Sequence, residues 1–231
     1  MKRVGWLGLL FLLFLLPESI RAQEEGMRYL EALEKKYAGL QDYTVDVTVH
    51  FDIETFKAPD LQAKIYYKVP DKLKVESKRI LFFPKEGGYF NPSLFKAEDH
   101  TVILLERLTH DGKKAVKMRL IPKNPKRNIH DIVLTLDVEQ NRVREIRMVR
   151  SGGGEIKAEI LYGSFDRFEL PTRIHLLLDF PAVVPEIKGF QPPSEGTKRV
   201  TGRIEMTYSN YKTNSGLTDE IFRETELKRP Q

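Results

Sequence analysis

At Asp42 the spacing of apolar residues changes abruptly. Before it, Met27, Leu30, Leu33, Tyr37 and Leu40 recur three or four residues apart, with Arg28, Glu31, Glu34, Lys35 and Lys36 between them. After it, Tyr43, Val45, Val47, Val49, Phe51 and Ile53 alternate with Thr44, Asp46, Thr48, His50, Asp52 and Glu54. A period of 3.6 draws one apolar stripe along a helix, whereas a period of 2 gives a strand one oily and one wet face. The switch predicts an amphipathic helix over 24–40, which Gly39 can end, followed by a half-buried strand.

The alternation then returns along the chain. Leu61, Ala63, Ile65, Tyr67 and Val69 interleave with polar residues, and beyond Pro70-Asp71 so do Leu73 and Val75. Further strands are predicted at 102–109 and 115–121 around an Asp111-Gly112 hairpin turn, and at 132–138, 143–149, 155–165, 173–179 and 198–210. About ten strands joined by short turns make one large antiparallel meander with a single apolar face. Two long loops interrupt it. One opens on Ile80–Phe83 and runs through Gly87-Gly88-Tyr89-Phe90-Asn91-Pro92 to Phe95; the other spans Phe180–Gly196. Long loops with apolar residues inside a compact domain are usually lids or binding loops.

A short basic head, Met1-Lys2-Arg3, precedes an apolar run from Val4 to Leu16, a break at Pro17-Glu18 and a small residue at Ala22. This pattern predicts a secretory signal peptide over 1–22. The run is shorter than the roughly 20 apolar residues of a spanning helix. The remainder, 23–231, reads as a single domain. Its net charge falls from +5 to +3, because Lys2, Arg3, Arg21 and Glu18 leave with the signal. The chain has no cysteine, which excludes disulfides, thiolate metal sites and a cysteine nucleophile. It also lacks the lipid-anchoring cysteine that a bacterial lipoprotein carries after its apolar run. The expected destination is soluble, in the periplasm or outside the cell. Mild basicity with interspersed acids reads as a solvated mixed-charge surface, and no nucleic-acid partner is expected.

Chemistry is poorly represented. His50, His100, His110, His130 and His175 form no metal-ligand spacing. In Asp99-His100, His110-Asp111 and His130-Asp131, neighbours on a strand point to opposite faces. No serine lies in a Gly-x-Ser-x-Gly elbow, and Ser151-Gly-Gly-Gly154 lacks the Lys-Ser/Thr of a phosphate loop. No enzyme, cofactor or metal is expected. The basic loop Lys123–Arg127 with Lys113-Lys114 reads as a solvated turn, its alternative being a contact with anionic headgroups or an acidic membrane partner.

The helix Tyr29–Tyr37, Leu40-Gln-Asp-Tyr43 leading into the first strand, Ile65–Val75 around Pro70-Asp71, Val133–Val138, Leu170-Pro171-Thr172 and Tyr208–Phe222 together resemble the LolA/LolB superfamily of periplasmic lipoprotein carriers. The resemblance implies a mainly β, α+β fold: a half-open antiparallel barrel whose helical lid closes over an apolar cavity. It also implies a periplasmic carrier that binds the acyl chains of lipoproteins, or another lipid, and shuttles them toward the outer membrane. Such a carrier is expected to be a monomer served by an inner-membrane release complex and an outer-membrane acceptor. A lipid- or lipoprotein-sensing regulator of the same fold is the alternative. Without the anchoring cysteine the chain is similar to the shuttle rather than the anchored receiver. One position departs: Val69 stands before Pro70 where the carriers have an arginine that bonds to the lid.

The walls of a cavity would come from Val45, Val47, Val49, Phe51, Ile65, Tyr67, Leu73 and Val75 in the first strands and from Ile174, Leu176, Ile204 and Met206 in the later ones. The alternative is that these residues simply pack against the helix.

Overall fold

In the computed structural model, the residues described are 18–53, 59–77, 87–123, 129–150, 154–165, 167–181 and 199–223. The alternating segments form the predicted strands. β1 (Asp42–Ile53), β2 (Leu61–Lys68) and β3 (Lys72–Ser77) pair in sequence, antiparallel. After two short 3-10 turns, Pro92–Phe95 and Ala97–Asp99, comes a seven-strand meander. Its members are β4 (His100–His110), β5 (Lys113–Pro122), β6 (Ile129–Asp137), β7 (Arg142–Arg150), β8 (Glu155–Phe165), β9 (Phe168–Pro181) and β10 (Arg199–Thr213). β10 returns beside β1, so the order is β3-β2-β1-β10-β9-β8-β7-β6-β5-β4. The sheet is a half-open barrel with β3 and β4 as its edges. Asp111 and Gly112, at φ 50° and 75°, make the expected hairpin turn, whose left-handed residues match the strand twist.

α1 (Glu18–Tyr37) begins ahead of the stripe predicted from 24, runs past Ala22 and ends before Gly39. It lies along β4 and the 3-10 turns. Contact with β4 is close enough that a Cβ on Gly26 would come within 2.8 Å of Val102 Cγ1. Leu30, Leu33 and Tyr37 are buried. Near its C-terminus, Lys36 donates to Glu169 Oε2 (2.6 Å) and to the carbonyl of Gln140 (2.7 Å), tying the helix to β9 and the β6–β7 turn. Glu169 also accepts from Arg142. Among the described residues no helix is long and apolar enough to cross a membrane.

Several boundaries differ from expectation. β9 starts at Phe168, not 173, and runs through Pro171 because the β8–β9 register shifts at Leu161/Tyr162, where a proline is tolerated. It ends at Pro181, so Phe180 and Pro181 are strand rather than loop; 182–196 lies outside the described residues, as do Ile80–Phe83, 124–127 and 151–153. Thr44, placed with the wet set by alternation, is buried, beside a register shift between Thr44 and Asp46. Asp42 is buried too, for a specific reason. Its Oδ1 accepts from Ser215 N (2.8 Å) and Oγ (3.1 Å), and its Oδ2 from Gly216 N (3.0 Å) and Leu217 N (3.2 Å). One carboxylate thus clasps the segment leading to the short helix α2 (Glu220–Arg223).

Candidate functional site

Strand register assembles the predicted wall residues into rows across the sheet. Val45 faces Ile65, which faces Val75; Tyr67 faces Leu73. Val49 faces Met206, which faces Ile174, and Phe51 faces Ile204, which faces Leu176. All belong to one apolar cluster on the concave side, Leu73 and Val75 being partly buried and the others buried. The structure therefore brings the whole candidate set together.

Leu30, Leu33 and Tyr37 of α1 belong to the same cluster, and a second, non-helical segment also lies on it. The segment Gly87–Phe95, part of the first long loop, crosses the concave face as a strap. Gly87, at φ 81°, sits against Leu176, where a Cβ would come within 3.1 Å of Leu176 Cδ2. Tyr208 donates to the carbonyl of Gly88 (2.8 Å), Tyr43 to that of Phe90 (2.8 Å) and Tyr67 to Asn91 Oδ1 (2.7 Å). Phe90 meets Tyr37 edge-on at 4.7 Å and Phe95 at 6.2 Å. Asn91 also caps the 3-10 turn, its Oδ1 accepting from Ser93 N, and Ala97 N donates to Glu34 on α1. Burial pushes the Tyr67 hydroxyl up to about 12 and raises those of Tyr43 and Tyr208 well above the ordinary phenol value, so all three remain donors through the neutral range.

Of these strap-holding residues, only Tyr67 is among the wall residues expected from the sequence. The available signal was chemical: an inward tyrosine among valines brings a polar tip that requires a partner. That partner is mostly backbone carbonyl, which no residue identity encodes. Val69, before Pro70, donates its backbone N–H to the carbonyl of Gln41 (2.9 Å). Its neighbours Lys68 and Lys72 both pair with Asp219 (2.7 and 2.6 Å), and hydrogen bonds from Lys68 and then Lys72 hold its carboxyl down at about 2.

The outer face is polar. A groove of about 510 Å³ there is lined by Asp46, Thr48, Gln62, Lys64, Glu76, Ser77 and Ser209, together with Val47 and Ala63. His50 pairs with Asp60 (2.7 Å), while buried His100 places Nδ1 2.9 Å from the carbonyl of Lys96. Among the described residues no group of three His, Cys, Asp or Glu could hold a metal ion. Of the basic loop, Lys113 bonds to Gln140 Oε1 (3.1 Å) and Lys123 to the carbonyl of Glu98 (2.9 Å).

With this geometry the fold is LolA-like. A Vibrio parahaemolyticus domain described as outer-membrane lipoprotein-sorting superposes with a TM-score of 0.63 at 13% identity, over 90% of this chain and 100% of that one. A DUF1329 family protein from Desulfovibrio piger gives 0.64 at 12% identity, over 90% and 99%. A LolA superfamily protein from Nitrosomonas europaea gives 0.57 at 12% identity, over 85% and 96%. No family model matches the sequence, and no curated protein does.

Proposed function

We propose that this protein is an exported periplasmic carrier, which shelters the acyl chains of lipoproteins or of another lipid against its concave face and shuttles them toward the outer membrane. The observation that carries the reading is the gathering of residues from β1, β2, β3, β9 and β10 into one apolar face beneath a non-helical strap. Each acyl methylene transferred there from water gains about 0.8 kcal/mol, so a long chain supplies ample affinity without any charged contact. Holding and releasing a chain requires no catalytic group. An inner-membrane release complex and an outer-membrane acceptor are the partners such a carrier would serve.

Titration with a fluorescent acyl probe tests the reading. Emission should rise and shift to the blue with saturation at micromolar protein or below, and long-chain fatty acid should reverse it. A flat titration would argue for a filled core in place of a binding face.

A further inference from the structure

The concave face has two chemically different ends. At the end where β1 and β9 begin and β8 and β10 finish, inward positions carry tyrosines whose hydroxyls are all committed. Besides the three bonds to the strap, Tyr37 donates to the carbonyl of Glu169 (2.9 Å), Tyr162 to that of Val143 (2.8 Å) and Tyr211 to that of Pro171 (2.9 Å). The rings also touch one another: Tyr43 stacks on Tyr67 at 5.1 Å and lies 5.7 Å from Tyr211. At the opposite end β1, β2 and β10 present Val49, Phe51, Leu61 and Ile204, whose side chains have no polar atom. Tyr208 marks the boundary, its hydroxyl 3.4 Å from the sulfur of Met206 in the next inward position.

An alkyl chain has no hydrogen-bonding group. Pushing into the tyrosine end, it would strand hydroxyls and carbonyls together in a dry site, whereas at the aliphatic end it exchanges one apolar contact for another. We infer that the Tyr43–Tyr67–Tyr208 cluster and its strap form a closed floor, so that an acyl chain lies tail-first against it with its polar head toward Phe51 and Leu61. The floor also limits the length of chain that can be held. This inference rests on the acyl-chain reading above.

Two photoreactive fatty acids test it on the intact protein, one with a diazirine at the methyl end and one with a diazirine near the carboxylate, with adducts mapped by mass spectrometry. The methyl-end probe should label Gly88–Asn91, Val47 or Tyr208, and the carboxylate-end probe Phe51 or Leu61. The reverse order would overturn the orientation while leaving acyl binding intact. Absence of adducts from both probes would remove acyl binding itself and the orientation with it. Tyr208→Ala should shift the preferred chain to a longer one by two or more carbons, and Tyr208→Phe, which keeps the ring, should shift it less. An unchanged length preference in folded Tyr208→Ala would overturn the limit on length.

Discussion

Val75→Asp is expected to leave the protein folded and to weaken acyl-probe binding at least tenfold. Val75 sits on edge strand β3, partly exposed, opposite Ile65. Losing part of one valine's burial costs about 1–2 kcal/mol, which a domain stable by 5–15 kcal/mol survives. A carboxylate facing a bound alkyl chain must give up hydration, and each 1.4 kcal/mol of that penalty weakens binding tenfold. Ile65→Asp is the harsher companion. Ile65 is fully buried between Val45 and Val75, so the change removes about 1.5–3 kcal/mol of burial and adds several more for an unpaired carboxyl. That variant should be largely unfolded by circular dichroism. Folded Val75→Asp with undiminished probe binding would take β3 out of the site.

The second large effect concerns stability. Asp42→Ala should cost about 3 kcal/mol, because it removes the acceptor of three backbone N–H groups and one hydroxyl, each bond to a charged group being worth roughly 1.5–3 kcal/mol before the freed segment finds water. For a domain of this size that corresponds to a fall of about 6–12 °C in Tm. Asp42→Asn retains the acceptor oxygen and should lose about half as much. A thermal melt within about 1 °C of the parent for Asp42→Ala would show that the clasp contributes little.

Much of the candidate wall's placement was legible because a strand side chain has only two faces to choose between. Val45, Val47, Val49, Phe51, Ile65, Ile174 and Ile204 all point inward as alternation required, and hydrophobic burial enforces that choice at every step. The clasps were illegible for a different reason. Asp42 is unremarkable in sequence until Ser215–Leu217 is brought beside it, across a separation that alternation does not encode. The strap was visible as a Gly- and Pro-rich aromatic loop, yet its course depends on the carbonyls of Gly88 and Phe90 meeting phenols from two strands and on Asn91 Oδ1 meeting one from a third. It adds contacts on Tyr67 and Leu176 that alternation alone does not announce. The early start of β9 was hidden by Pro171, which reads as a strand breaker until a bulge accommodates it.

Native mass spectrometry of the protein purified from the cell envelope tests the carrier proposal most directly. A carrier should show a population heavier than the bare polypeptide by the mass of a lipid or an acylated protein, released as bare chain under mild activation. A spectrum of bare polypeptide alone, across gentle preparations, would contradict it.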